Sequence, residues 1–159
     1  MKVTLITVGK IKEKYLKMAI EEYSKRLSRY CKLEIIEVTD EQTKEGAGEA
    51  FCEQVKQKEA VRILKYIKDD AFVITLEIMG QMLDSVTLAK KIESIGVSGY
   101  GQIVFVIGGS LGLHTSVSQR SNFKLSFSKL TFPHQLMRVI LLEQIYRCYR
   151  INQNEPYHK

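Results

Sequence analysis

The sequence predicts an α/β fold with a mostly parallel sheet and flanking helices. Three observations carry that prediction. Apolar runs rich in β-branched residues alternate with amphipathic segments along the whole chain. Two of those runs, Ala71–Ile78 and Gln102–Ile107, are apolar at nearly every position, as strands covered on both faces are. A glycine-rich turn follows the second run directly, at the strand end where open α/β sheets bind ligands.

Each element has its own signature. Lys2–Val8 is an apolar strand that ends at Gly9-Lys10. A helix is expected over about Glu13–Arg29, with Leu16, Ile20, Tyr23, Leu27 and Tyr30 at helical spacing and Lys and Glu on the other face. Leu33–Val38 reads as the second strand, and the polar stretch Thr39–Gly48, ending Gly-Ala-Gly, as an exposed loop. A strongly charged helix follows over about Glu49–Ile67. The strands Ala71–Ile78 and Gln102–Ile107 flank a helix over Ser85–Ile95 and a turn at Gly96–Gly101. A fifth strand fits Lys124–Ser128, and a last helix starts near Pro133, a residue tolerated in a first helical turn, and runs to Ile151.

That last helix is apolar at Leu136, Met137, Val139, Ile140, Leu141, Leu142, Ile145, Tyr146 and Tyr149, nearly all round. Such a helix must be buried. A homodimer joined helix to helix supplies the second surface; a central position within one chain is the other solution.

The chain has 159 residues, is 45% hydrophobic and 26% charged, and shows no repeat or linker, so 1–159 is read as one domain. No apolar stretch approaches the ~18 residues of a membrane helix, and the opening run is too short for a signal peptide. Cys31, Cys52 and Cys148 are odd in number and scattered, which fits free thiols in the cytoplasm and no metal site. Net charge is +6, unevenly placed: residues 94–159 hold 7 Lys/Arg against 2 Asp/Glu, and no acid falls between Glu93 and Glu143. A one-signed region suits a polyanionic partner, although basic excess without function is equally common.

Three segments could carry chemistry. Gly108-Gly109-Ser110-Leu111-Gly112-Leu113-His114 allows close backbone approach to a ligand, or is simply a tight turn. It lacks the GxGxxG spacing and the ribose-binding acid of dinucleotide sites, and the Lys-Ser/Thr of a phosphate loop. Ser126-Phe127-Ser128-Lys129-Leu130-Thr131-Phe132-Pro133-His134-Gln135 is a small-residue loop suited to binding through its backbone, with helix capping by Ser128 or Thr131 as the plainer reading. His134 alone is as well explained as a capping or core histidine. The end, Pro156-Tyr157-His158-Lys159, offers an aromatic, an imidazole and a cation for RNA, or is a frayed terminus. No RNP aromatic motif is present.

Taken in order, and with the opening Val8-Gly9-Lys10-Ile11-Lys12, these motifs resemble the RlmH family over essentially the whole chain. That family comprises SPOUT-class methyltransferases acting on N3 of a pseudouridine in 23S rRNA. The resemblance implies a C-terminal trefoil knot, an exception to the usual rule against threading, and a homodimer. It implies S-adenosylmethionine as cofactor, in a pocket at Leu76, Gly108, Phe127, Ser128, Lys129, Leu130, Thr131 and Phe132. The implied substrate is the pseudouridine in the helix 69 stem-loop, presented on the assembled ribosome. His134 and His158 are then candidate proton acceptors or orienters, with Tyr157 and Lys159 holding base and phosphate. A non-catalytic ribosome-binding factor would share the basic half but need no nucleotide pocket, and an NAD-type enzyme would need the ribose acid that is missing.

Overall fold

The structure, a computed structural model, describes all 159 residues. Five strands alternate with five helices. They are β1 (Lys2–Val8), α1 (Lys14–Leu27), β2 (Lys32–Val38), α2 (Glu49–Leu64), β3 (Phe72–Met82), α3 (Ser85–Val97), β4 (Gln102–Ile107), α4 (Thr115–Arg120), β5 (Phe123–Ser126) and α5 (His134–Asn152). The strands form one sheet in the order β2-β1-β4-β3-β5, and every pairing is parallel.

Strand periodicity divides the core in two. Ile103, Phe105 and Ile107 of β4 join Val3 and Leu5 of β1 on one face, against Leu27 of α1, Leu88 and Ile92 of α3, and Leu141, Leu142 and Ile145 of α5. Val104 and Val106 join Ile6 and Val8 on the other, against Ala60 and Ile63 of α2 and Val117 of α4. The central strands are buried on both faces, which is why their sequences show no polar alternation. A fully buried side chain such as Phe105 contributes about 1.5–3 kcal/mol by leaving water. Asp84 caps α3 by accepting from the Thr87 amide at 2.7 Å.

The structure departs from the sequence reading in four places. The six-residue α4 was not expected; it is too short to show a helical period and is capped by the His114 side chain, which accepts from the Ser116 amide. β3 continues past Ile78 to Met82. Within it Leu125 of β5 pairs with both Leu76 and Gln81, so residues 77–80 form an irregular arch around that strand. A Cβ on Gly80 would lie 2.7 Å from the Lys124 carbonyl oxygen, so only glycine fits this backbone crossing. Pro133 is the N-cap of α5 rather than part of its first turn, and no side chain caps it; capping by Ser128 or Thr131 is therefore not what shapes the loop.

The fourth departure concerns α5. It packs against both α1 and α3, so much of its apolar surface is covered by its own chain. The all-round apolar count overstated the surface left for a partner. What remains open is Leu136, 39% exposed, with Val139 and Ile140 half-buried beside it.

Candidate functional site

A cleft of about 520 Å³ opens at the carboxyl ends of β3, β4 and β5. β3 contributes Leu76, Glu77 and Ile78, the turn after β4 contributes Gly108–Ser110, Gly112 and Leu113, and the β5–α5 loop supplies most of the rest. A broader, more open depression of about 880 Å³ lies under Met1 and Arg29–Leu33. That one is at the amino end of the sheet and has no glycine turn, so the smaller cleft is the better binding site.

The glycine turn is closed on itself. The Gly112 amide donates to Gly109 O at 3.0 Å, and Gly112 adopts φ 83°. A Cβ on Gly108 would stand 2.9 Å from the Gly112 carbonyl carbon. Gly108 is thus required first by the turn's own backbone, before any ligand is considered.

The loop 127–132 is the opposite case. Ser126 Oγ donates to Ser128 O, and the Leu130 amide donates to Ser128 Oγ. No other amide of Phe127–Phe132 donates to a group of the chain. These free donors stand at the rim of the cleft, between the apolar walls of Leu76, Leu125 and Met137. Leu76, Gly108, Phe127, Ser128, Leu130, Thr131 and Phe132 all line it, whereas Lys129 is exposed and is not among the lining residues.

His134 lines the same cleft and a second, acidic one of about 280 Å³ with Asp40, Glu41, Glu59 and Ser110. Burial, reinforced by Arg138, lowers the imidazole below its ordinary pKa, with Asp40 opposing, so the ring is held neutral. Glu59 shows the converse: burial pushes its carboxyl up, against the hydrogen bond from the Glu41 amide, while Asp40 adds to the rise.

Arg138, one turn further along α5, is 1% exposed. Its guanidinium donates to Glu37 Oε2 at 2.8 Å, Val8 O at 2.8 Å and Gly9 O at 2.9 Å. It thereby ties the start of α5, and His134 with it, to the ends of β1 and β2.

Tyr157 and His158 are not near this cleft. Tyr157 Oη donates to Glu143 at 3.0 Å, and His158 Nδ1 is 3.2 Å from Arg147. Both fold back against the middle of α5, at Glu143 and Arg147, roughly 14–20 Å along the helix from His134 at the helical rise. One chain alone does not bring the three candidates together.

The basic half also looks different in three dimensions. Arg120 donates to the Lys68, Asp69 and Ala71 carbonyls, Arg138 is buried, Arg147 pairs with Glu143 and Arg150 with Glu155. Four of its seven cations serve the fold, and only Lys124, Lys129 and Lys159 lack such partners. Charge counting overstated what is available to a polyanion.

Sequence reasoning missed Glu77, which lines the cleft and accepts from Thr75 Oγ1 at 2.7 Å and Ser118 Oγ at 3.1 Å. A lone acid in a strand otherwise covered on both faces was the available signal. Arg138, a cation inside an apolar helical run, was another. Among all residues no group of three or more His, Cys, Asp or Glu is arranged to hold a metal, and no helix is long and apolar enough to cross a membrane.

A family model described as a predicted SPOUT methyltransferase matches residues 1–158. The ribosomal RNA large subunit methyltransferase H of Bifidobacterium adolescentis is 62% identical over 159 residues, covering all of both chains. That of Clostridium tetani is 61% identical over the same span. A solved structure, a probable methylase family protein from Haemophilus influenzae Rd KW20, superposes with TM-score 0.56 over 99% of this chain and 70% of that one. At 12% identity it is similar in fold alone.

Proposed function

The chain belongs to the SPOUT methyltransferase family, and on that premise we propose that it methylates N3 of a pseudouridine in the helix 69 stem-loop of 23S rRNA. The reaction takes place on the assembled ribosome in the cytoplasm, with S-adenosylmethionine as cofactor and a homodimer as the working unit. The observation that carries the reading is the row of unpartnered amides in Phe127–Phe132, set beside the closed glycine turn in an apolar-walled cleft.

The residues present fit an adenosyl group. The cleft is within the usual size range for small-molecule sites, and it combines apolar walls with a few directed polar donors. Leu76 and Met137 would face the adenine, while the 127–132 amides and the backbone at Gly108 would hold its edges and the ribose. When bound, S-adenosylmethionine supplies the methyl group on a positively charged sulfonium, so displacement needs no prior activation of the donor.

The chain's task is then to place the acceptor and take one proton. N3 of pseudouridine is an imide nitrogen and becomes nucleophilic as its proton leaves. A neutral His134 whose ring makes no hydrogen bond in the chain can accept that proton, and the acidic cleft behind it stabilises the imidazolium that forms. As N3 loses its proton it gains the methyl carbon, so the base remains neutral overall.

Tyr157 and His158 enter from a second copy, since in their own chain they are held at Glu143 and Arg147, well along α5 from the cleft. Large apolar side chains at Ile78, Met79, Leu130, Phe132 and Leu136, in or beside the cleft-lining segments, are exposed by 37% or more and suit cover by a second copy. The knot implied by the resemblance is supported by the 77–80 arch, where Gly80 presses on the β5 backbone.

Calorimetric titration tests the pocket. S-adenosylmethionine should bind and NAD should not, and Gly108→Ala should weaken binding roughly tenfold, about 1.4 kcal/mol, by distorting the turn. A chain that binds neither compound, or prefers NAD, is not doing this chemistry in this cleft.

A further inference from the structure

The chain's last residues form a built structure rather than a frayed end. α5 closes in a Schellman motif: Asn154 takes φ 54°, its amide donates to Ile151 O at 3.0 Å, and the Glu155 amide donates to Arg150 O at 2.9 Å. Reversing the chain there brings the Glu155 carboxylate against the residues that follow α1. It accepts from the Tyr30 hydroxyl, from Arg150 and, at 3.3 Å, from Arg29.

The three donors are unequal. Arg29 is 71% exposed and adds little. Arg150 is only 18% exposed in its side chain and is itself oriented by Tyr30 Oη at 3.1 Å and by Pro156 O at 2.7 Å. Tyr30 is in turn stacked on Tyr149, ring centroids 5.6 Å apart, and edge-on to Tyr146 at 5.9 Å. Tyr30 is therefore held in place independently of the tail, while Arg150 is fixed between Tyr30 and the tail's own Pro156 carbonyl.

Beyond Pro156 the anchors thin out. Tyr157 sits edge-on to Tyr146 at 5.0 Å, with Arg147 over its ring at 4.7 Å, and donates to Glu143. No amide of Tyr157, His158 or Lys159 donates to the rest of the chain. Glu155, the Pro156 carbonyl on Arg150, the Tyr157 side chain and the His158 contact with Arg147 define where the last three residues lie.

We propose that Glu155, held by Tyr30 and Arg150, is the positioning residue that sets Tyr157, His158 and Lys159 for the reaction. The inference rests on the proposed role of that tail at the RNA base. Glu155 touches neither cofactor nor base and acts only by placing groups that do. Misplacement of a positioned group by about 1 Å can cost as much as 100-fold in rate. A plain structural role, ending α5 and no more, predicts a loss of stability with no dependence on the tail.

The test uses the full chain and whole ribosomes as varied substrate. Glu155→Ala and Glu155→Gln are assayed alone and combined with deletion of 156–159. Glu155→Ala should keep its cofactor affinity within about twofold and lose roughly tenfold or more in kcat, with KM moving less. Glu155→Gln keeps an oxygen for the Tyr30 hydroxyl and should recover part of that loss even if the alanine variant folds poorly. In the tail-less background Glu155→Ala should cost less than about twofold, because the group it positions is gone. Wild-type kcat in both Glu155 variants overturns the inference alone, provided the tail deletion is impaired. The same loss with and without the tail also overturns it. A fully active tail deletion removes the proposed role of the tail, and this inference with it.

Discussion

Replacing Arg138 by Met should destabilise the fold by about 3 kcal/mol, and the figure can be worked from its contacts. The guanidinium is the partner of two backbone carbonyls, Val8 O and Gly9 O, and of Glu37. Each buried acceptor left empty costs about 1–3 kcal/mol. Glu37 is 36% exposed in its side chain, so water takes over part of its loss and it belongs at the low end. Methionine fills much of the vacated volume and returns some of the cost through apolar burial. At about 3 kcal/mol, a chain of this size should melt roughly 6–12 °C lower. Glu37→Gln should cost less than Arg138→Met, because a glutamine oxygen still accepts from the guanidinium and from the Ile11 amide, which donates to Glu37 at 3.1 Å. Urea melts at one fixed protein concentration, followed by far-ultraviolet circular dichroism, measure both variants and the double mutant. An Arg138→Met chain as stable as wild type, or a Glu37→Gln chain that suffers more, would refute the account of Arg138 as a tie between α5 and the ends of β1 and β2.

Two further outcomes follow from the cleft and its frame. Gly80→Ala forces a Cβ to within 3 Å of the β5 backbone, and thermal melting should show a loss of about 2–4 kcal/mol, since neither backbone can yield as a side chain would. Unchanged stability would mean that the arch over β5 is loose. The imidazole of His134 has a folded pKa below its ordinary 6.5, so it stays neutral as pH falls through that value. Its stability contribution is fully present above pH 6.5 and is lost progressively as pH falls from there through the depressed value. The acid limb of kcat/KM for methylation should therefore break below 6.5 and disappear in His134→Ala, measured with tritiated donor; a break above 6.5 would assign the limb to another group.

How much of this could be read from residues alone depended on range. β1 and β4 were legible because a strand buried on both faces writes an unbroken apolar run, and Lys2–Val8 and Gln102–Ile107 came out with their observed bounds. α1 was legible through its apolar spacing and α3 as the segment between two apolar strands, while the Asp84 cap of α3 was not read from the sequence. The end of β3 was not, because its last residues are held by β5 across a four-residue arch that leaves no alternation in Glu77–Gly80. The cleft's glycine turn and loop could be found as motifs, since a backbone site needs small residues in one stretch. The partners of Arg138 and Glu155 could not: Gly9 lies 129 positions from Arg138 and Tyr30 lies 125 from Glu155, so even the cation in an apolar helical run did not say what it meets. Composition likewise does not show that four of the seven cations of the basic half are taken up by the fold, Arg147 and Arg150 by acids four and five positions away and Arg120 and Arg138 by distant backbone.

The most direct measurement of the central claim is methyl incorporation from tritiated S-adenosylmethionine into ribosomes taken from a strain lacking this protein, run beside the same rRNA stripped of protein. Selecting one pseudouridine needs a shaped surface, because phosphate contacts position without specifying. The account predicts about one methyl group per assembled ribosome, mapped to N3 of a helix 69 pseudouridine, and labelling of naked rRNA lower by roughly tenfold or more. No incorporation into ribosomes by a chain that binds the donor, or equal labelling of naked rRNA, would contradict it.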